Sequence, residues 1–139
     1  HFHAPSEHVV DGARSPVEAH FVHKTEDEQI AVVGVILTVG ESPNEAWQPL
    51  VDALDVAESD TVAAELDWEA MLPDDRATIR YEGSLTTPPC TEGVRWLLMQ
   101  ETVSLSDDQL AAFDAAYSGN NRPVQPLNGR AVEIDADDG

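Results

Sequence analysis

The chain has 139 residues, the length of one domain or part of one, and 42% of them are hydrophobic, which is enough to form a core. Its 27 acidic and 7 basic residues give a net charge of −20, which excludes nucleic acid and anionic membranes as partners. The longest apolar run, Ile30 to Leu37, is too short to cross a bilayer, and the single cysteine, Cys90, excludes an internal disulfide.

All five histidines lie in the first two predicted strands or in the loop between them. Residues 1–4 (HFHA) alternate in polarity, as expected for a strand with one polar face. Residues 5–16 contain proline, serine and glycine and predict a loop, and residues 17–24 (VEAHFVHK) alternate again as a second strand. The polar faces of these two strands hold His1, His3, Glu18 and His20. His23 falls on the face opposite His20, which favours a buried or edge position.

The middle of the chain predicts one long strand, one helix and a short uncertain segment. Residues 30–40 (IAVVGVILTVG) are typical of a buried strand. The spacing of Trp47, Leu50, Val51 and Leu54 predicts a helix, with Ser42 or Asn44 as its N-cap and Pro49 limiting its extent. Alternation favours a further strand from Val62 to Leu66.

The last third predicts strands around one helix. Residues 77–83 (ATIRYEG) indicate a strand, 84–93 (SLTTPPCTEG) an ordered loop, and 94–105 (VRWLLMQETVSL) either two strands or one long strand. Residues 106–119 predict a helix with Ser106 as N-cap. A loop and a last strand end the sequence. Strands dominate, so the fold class is mainly β.

Acidic residues recur along the whole chain instead of forming one block. Each run is typical of a solvated face, so none of them is interpreted as a binding site. Together they predict an acidic, halophilic surface whose self-repulsion is screened by concentrated salt. The runs are KTEDEQ, DALDVAESD, LPDD, LSDDQ and EIDADDG.

The two histidine strands predict a metal site if they pair as antiparallel neighbours. His20 would then approach the face that carries His1 and His3, and three imidazoles with a vacant fourth position suit catalytic Zn²⁺. Glu18 could accept the ring N–H of a ligand histidine and so fix its tautomer. On this pattern alone, chance pairing of histidines on a polar strand face remains an alternative.

The longer motifs resemble those of the α-class carbonic anhydrases. The matching stretches are HFHAPSEH, PVEAHFVHK, AVVGVIL, YEGSLTTPPCTEGVRW and NNRPVQPLNGR, in the order of that family. The resemblance covers nearly the whole chain. It implies a central, largely antiparallel twisted sheet with a few short peripheral helices. It also implies that residues 1–139 are a single domain lacking its N-terminal portion.

The resemblance implies a zinc enzyme for the reversible hydration of CO₂ to bicarbonate and a proton. In that reading His1, His3 and His20 hold Zn²⁺, and zinc-bound hydroxide attacks the carbon of CO₂. Thr86 accepts a hydrogen bond from the hydroxide and donates its own proton to Glu7, which orients the nucleophile. The backbone N–H of Thr86 would contact a substrate oxygen.

The resemblance also assigns an apolar pocket for CO₂, although ordinary core packing is the alternative for each of its members. The pocket residues are Val22, Val32, Leu85, Thr87, Val94 and Trp96. His8 would be a hydrogen-bonded partner of its loop, and Arg122 and Gln125 would belong to a structural C-terminal turn. The family's proton-shuttle histidine has no counterpart among these residues, so no shuttle is assigned.

Cys90 matches a position where many relatives have half of a disulfide, whose partner would lie in the segment before His1. This implies an extracytoplasmic protein. CO₂ and bicarbonate are the expected small-molecule partners, and the oligomeric state is left open. Two alternatives to the enzyme remain: a catalytically weak or inactive fragment, and a non-catalytic binding module of the same fold.

Overall fold

A computed structural model describes residues 1–55 and 65–135 and contains a twisted sheet flanked by two helices. The strands are β1 (Phe2–His3), β2 (Val17–Lys24), β3 (Ile30–Val39), β4 (Thr78–Ser84), β5 (Glu92–Met99), β6 (Val103–Leu105) and β7 (Glu133–Ile134). The helices are α1 (Gln48–Asp55) and α2 (Asp107–Tyr117). The strand predicted from Val62 to Leu66 lies outside the described residues at 62–64, and residues 65–66 are in no strand.

The sheet is mixed, and its order is β1-β2-β3-β5-β4-β7, with β6 paired to β3 off this path. β1–β2, β2–β3, β4–β5 and β4–β7 are antiparallel, which confirms the predicted mainly β, largely antiparallel fold. The β3–β5 and β3–β6 pairs are parallel. The first half of β3 therefore pairs with β5 and its second half with β6, which is why residues 94–105 form two strands.

Both predicted helices form, and Ser106 caps the second as predicted, whereas α1 begins four residues after Asn44, so neither Ser42 nor Asn44 is its N-cap. The side chain of Ser106 accepts a hydrogen bond from the backbone of Gln109, whose own side chain returns to the Ser106 backbone. This reciprocal pair satisfies donors that an α-helix leaves open at its N-terminus. Before α1, the Asn44 side chain accepts from the Ala46 backbone at 3.1 Å, and Pro49 lies in the first turn, where its missing N–H costs nothing.

The main core lies between the helices and one face of the sheet. Trp47 is fully buried, contacts the Phe113 ring of α2 edge-on, and belongs to the same core cluster as Val35 and Leu37 of β3. Its indole N–H donates to the carbonyl of Met71 at 3.1 Å, so the ring is buried without an unsatisfied donor. The opposite face of the sheet is left to the histidine cluster described below. In the described part of the chain, no helix has the length and apolar character needed to cross a membrane.

Among the acidic residues whose side chains the structure describes, Glu7 and Glu18 are buried and the others are exposed or half-buried. We therefore expect the melting temperature to rise by roughly 5 °C from dilute buffer to molar KCl, because salt screens the repulsion within a chain of charge −20. Thermal unfolding followed by circular dichroism measures this rise. Sucrose is the control, because it stabilises proteins by being excluded from their surface and does not screen charge. An unchanged melting temperature in KCl would contradict the halophilic interpretation.

Candidate metal centre

The two histidine strands pair as antiparallel neighbours, which is the condition on which the predicted metal site depends. Phe2 lies opposite Ala19 and His3 opposite Glu18. His1 and His20 also exchange two backbone hydrogen bonds, with the N–H of His20 donating to the His1 carbonyl at 2.8 Å. Residues directly opposite each other in an antiparallel pair share a face of the sheet. This register therefore places one cluster of polar residues on a single face: His1, His3, Glu18 and His20.

His3 and His20 form a buried imidazole pair in which each ring has one nitrogen engaged. Their ring centroids lie 4.7 Å apart, and the residues are 5% and 6% exposed. Nδ1 of His3 lies 3.4 Å from the carbonyl oxygen of Asn120, and Nε2 of His20 lies 2.7 Å from Oε1 of Glu18. The second nitrogen of each ring is left to act as a ligand, because an outer partner fixes the tautomer of a metal-binding histidine.

Glu18 is a fully buried carboxylate that holds this side of the cluster together. Its Oε2 accepts the backbone N–H groups of Glu7 and His8 at 2.9 and 2.8 Å, and its Oε1 contacts both His20 and Nδ1 of His8. Gly34 lies opposite His20 on β3, and a Cβ there would be in ordinary contact with Oε1 at 3.5 Å but tight against the Leu98 side chain at 3.0 Å. Burial alone would raise the pKa of Glu18, but hydrogen bonds from His20 and His8 outweigh it and hold that pKa well below its ordinary value near 4.5.

The depressed pKa of Glu18 predicts acid sensitivity in the metal-free chain. The stabilisation from its ionised form is present above pH 4.5, where the unfolded chain is also ionised, and is lost as pH falls below that value. We expect the free energy of unfolding to fall by on the order of 2 kcal/mol across this range, as for other salt-bridged carboxylates. Urea unfolding at a series of pH values measures the change.

Glu18→Gln is the test variant for that prediction, and Glu82→Gln, at an exposed position on β4, is the matched control. Glu18→Gln should lose about 3 kcal/mol near neutral pH, because it breaks a buried charged network, and it should flatten the acid limb of the profile. Glu82→Gln should keep the profile of the unaltered chain. An acid limb that survives unchanged in Glu18→Gln would show that other carboxylates cause it.

His8 is more deeply involved in this network than the sequence indicates. Instead of serving only its own loop, it bridges Glu18 and the hydroxyl of Tyr81, with Nε2 lying 2.6 Å from that oxygen. Desolvation and the nearby Glu18 charge raise the pKa of Tyr81, so its hydroxyl stays protonated as a donor. Sequence analysis did not single out Tyr81, because its strand shows only ordinary alternation.

Glu7 lies beside the imidazole pair with one carboxylate oxygen unsatisfied. Its Oε1 accepts the backbone N–H of Arg122 at 2.8 Å and lies 3.3 Å from Nδ1 of His3. Its Oε2 is buried and has no hydrogen-bond partner among the described residues. Thr86 lines the same cavity as Glu7, but the predicted hydrogen bond from its hydroxyl to Glu7 is not formed among the described residues. A buried carboxylate oxygen without a donor is costly, so this position is suited to receive a hydroxyl proton.

His1 differs from the other two predicted ligands. Its backbone is paired to His20, but its side chain is exposed. In the described part of the chain, two groups have their ligand atoms within 4.8 Å of one another, and His1 is in neither of them. These groups are His3 with Glu7 and His20, and His8 with Glu18 and His20. The backbone of His1 thus places it on the same face as His20, whereas its side chain is exposed and belongs to neither group.

The predicted apolar pocket is largely assembled beside the cluster. Val32, Val94 and Trp96 form one buried group with Leu85 packed against it, and Trp96 contacts the His20 ring edge-on at 4.8 Å. Val22 lies opposite Val32 and is 43% exposed. Thr87, the last of the predicted pocket residues, is exposed. Outside the pocket, His23 is exposed near the end of β2 and not buried, and Cys90 is a partly buried free thiol.

The residues present fit a zinc ion. The buried nitrogen donors of His3 and His20 are each oriented by an oxygen behind the ring, and the unsatisfied Oε2 of Glu7 lies 3.9 Å from Nδ1 of His20. Imidazole donors backed by carboxylate or carbonyl oxygens are typical of zinc sites. Full hydrogen bonding of His8 and Glu18 leaves the second group with less capacity to bind a metal.

Comparison with known proteins decides the family. The sequence pattern of eukaryotic-type carbonic anhydrase matches residues 1–136. The chain belongs to this carbonic anhydrase family. The carbonic anhydrase of Pectobacterium carotovorum is 41% identical over 136 residues, which are 95% of this chain and 55% of that protein. The chain therefore spans about half the length of the curated carbonic anhydrases that it matches.

Solved structures of carbonic anhydrases agree with the fold. The Thermovibrio ammonificans α-carbonic anhydrase, in complex with the inhibitor sulfanilamide, is 46% identical with a TM-score of 0.85, over 95% of this chain and 59% of that one. The Photobacterium profundum α-carbonic anhydrase is 41% identical with a TM-score of 0.88, over 95% and 61%. Dioscorin complexed with ascorbate is also similar, at 35% identity and a TM-score of 0.83, over 96% and 59%.

Proposed function

We propose that this chain carries the zinc site of a carbonic anhydrase, which catalyses the reversible reaction of CO₂ with water to give bicarbonate and a proton. The observation that carries the proposal is the buried pair of His3 and His20, each with one nitrogen held by an oxygen and the other available for a metal. His1, whose backbone is hydrogen-bonded to His20 on the same face, would be the third ligand.

Bound zinc would supply the chemistry by lowering the pKa of a coordinated water to about 7. The protein's own residues would hold the metal ligands, orient the attacking oxygen and keep water out of the apolar pocket. Glu18 keeps the His20 ring in one tautomer and is itself held by backbone N–H groups, so the ligand geometry is rigid. Such outer partners of a metal site are worth about 10- to 100-fold in metal affinity or activity.

Thr86 and Glu7 would orient the attacking oxygen. A threonine hydroxyl that donates to Oε2 of Glu7 can only accept from the attacking group, so the lone pair of that group is directed at the carbon. The unsatisfied, buried Oε2 supports this role for Glu7. The apolar pocket of Val32, Val94 and Trp96 suits CO₂, which is small and has no net charge.

Two further features belong to this proposal. Residues 1–139 would belong to a single domain, and an extracytoplasmic location would follow from the family resemblance. The alternatives are a catalytically weak or inactive fragment and a non-catalytic module. The similarity to dioscorin, named as a complex with ascorbate, makes the binding module a specific alternative.

Metal analysis combined with CO₂ hydration kinetics tests the proposal. We expect one zinc per purified chain and a stopped-flow hydration rate that is lost on chelation and restored by Zn²⁺ but not by Mg²⁺. Sulfanilamide, the inhibitor bound by the Thermovibrio ammonificans relative, should inhibit the restored activity. Stoichiometric zinc without hydration would favour the binding module, and absence of zinc would favour the inactive fragment.

A further inference from the structure

Two exposed turns in the described part of the chain share one uncommon backbone conformation. Asp11 and Gly12 have φ angles of 50° and 78°, and Asn128 and Gly129 have φ angles of 53° and 78°. Each pair lies at the exposed tip of its turn. Positive φ at both central residues is typical of the turns that prefer Asp-Gly and Asn-Gly. The chemical difference between the two tips is an amide at residue 128 where residue 11 has a carboxylate.

The Asn128 turn provides what an asparagine needs to react with its own backbone. The backbone nitrogen that follows Asn128 belongs to a glycine, so no side chain shields it. A Cβ added at Gly129 would meet no atom within 4 Å, so the surrounding space is open as well. An exposed loop tip of this kind has low local stability, which lets the side-chain amide and the backbone nitrogen approach each other.

We propose that Asn128 is a site of spontaneous deamidation, and that its isoaspartyl product separates Arg130 from Tyr81. The nitrogen of Gly129 attacks the side-chain carbonyl carbon of Asn128. The bond from that carbon to the amide nitrogen breaks, and ammonia leaves with the proton released by the attacking nitrogen. Water then opens the resulting succinimide ring at one of its two carbonyls, which gives either aspartate or isoaspartate, so no oxidant, reductant or enzyme is required.

The two products differ in their effect on the turn. Aspartate leaves the backbone path unchanged, and Asp11 shows that this residue is compatible with the same conformation. Isoaspartate routes the backbone through the former side chain and lengthens it by one carbon. The turn is closed by a hydrogen bond from the Arg130 N–H to the Leu127 carbonyl at 3.0 Å, and the longer backbone no longer matches that four-residue span.

Arg130 connects the turn to the buried network beside the metal cluster. Its Nε donates to the Leu127 carbonyl at 2.8 Å and its Nη1 to the Glu82 carbonyl at 3.2 Å. Its guanidinium carbon lies 5.7 Å from the centre of the Tyr81 ring, where a cation is attracted to the aromatic face. The Tyr81 hydroxyl in turn lies 2.6 Å from Nε2 of His8. The inference rests on these contacts and not on the proposed activity.

Ageing of the purified chain in mildly alkaline buffer at physiological temperature tests the modification. Peptide mass spectrometry follows the conversion of each asparagine to an acid, and enzymatic methylation of isoaspartate identifies that product. We expect Asn128 to react at least about tenfold faster than the asparagines that precede larger residues, which are Asn44, Asn120 and Asn121. Gly129→Ala is the matched control, because its methyl group has room but shields the attacking nitrogen, and it should remove most of this difference.

NMR of ring-labelled tyrosine tests the connection to Arg130. The chain has two tyrosines, and Tyr117→Phe assigns their resonances. In the isoaspartyl fraction, isolated by anion exchange, the Tyr81 signal should shift because the guanidinium leaves its ring, and the Tyr117 signal should not. Asn128→Asp, which represents the other product, should keep the Tyr81 signal of the unaltered chain.

Three results would overturn the proposal, and the first two come from the unaltered chain, so they do not depend on the folding of a variant. Equal reaction rates at all four asparagines would show that residue 128 has no special reactivity. An unchanged Tyr81 signal in the isoaspartyl fraction would show that Arg130 stays in place. A Tyr81 shift of the same size in Asn128→Asp would assign the effect to the added charge instead of the lengthened backbone.

Discussion

Replacing His20 with alanine should abolish zinc binding and lower the rate of CO₂ hydration by more than about 100-fold, the upper cost of losing an outer-shell partner. The ring of His20 is buried and its Nε2 is hydrogen-bonded to Glu18, so its Nδ1 is the nitrogen left to bind the metal. The measurements are zinc content of the purified variant and stopped-flow hydration. His23→Ala is a matched control on the same strand, because His23 is exposed and belongs to neither group of ligand atoms.

Stability must be separated from metal binding in this experiment. His20→Ala removes one hydrogen-bond donor from the buried Glu18 carboxylate, which costs about 1–3 kcal/mol even without a metal. The variant and the unaltered chain should therefore both be melted in a chelator, to show that each is folded. A folded His20→Ala chain that keeps one zinc and the full hydration rate would contradict the proposed ligand set.

Comparing His1→Ala with His3→Ala distinguishes the two remaining ligands. His3 is buried and oriented by the Asn120 carbonyl, whereas His1 is tied down by its backbone and has an exposed ring. The sequence predicted both residues as ligands because they alternate along one strand. Alternation places both on one face, but it carries no information about how firmly each ring is held.

Local patterns in the sequence were sufficient to predict most elements. The N-cap at Ser106 and the alternation of Val17–Lys24 depend on neighbours within a few residues, and both predictions are confirmed. β1 and β2 also pair in the antiparallel arrangement that the predicted metal site requires. The parallel alignment of β3 with β5 and β6 could not be read in this way, because it joins segments about sixty residues apart.

Hydrogen bonds between residues far apart in the chain could not be predicted from the sequence either. The bond between His8 and Tyr81 joins residues 73 positions apart, and the bond from the Arg122 backbone to Glu7 spans 115. Both depend on the complete order of the strands. Glu7 itself was assigned through the family resemblance, and the structure adds that one of its oxygens accepts a backbone N–H while the other has no partner among the described residues.

Replacing Thr86 with valine should lower the CO₂ hydration rate by about 100-fold, at the low end for a positioned proton-transfer group, while zinc content is unchanged. Valine keeps the shape of threonine and removes the hydroxyl that would donate to Oε2 of Glu7, so the attacking oxygen loses its orientation. The measurement is kcat/KM by stopped flow together with zinc content, which separates this effect from loss of the metal.

Two further variants make the test of Thr86 specific. Thr86→Ser restores the hydroxyl and should recover most of the rate, whereas Thr91→Val, at an exposed position of the same loop, should behave like the unaltered chain. Glu7→Gln should match Thr86→Val, because an amide group does not accept the hydroxyl proton as strongly as a carboxylate does. If the valine and serine variants were equally slow, bulk at position 86 would matter instead of the hydroxyl, and Glu7 would need another donor for its buried oxygen.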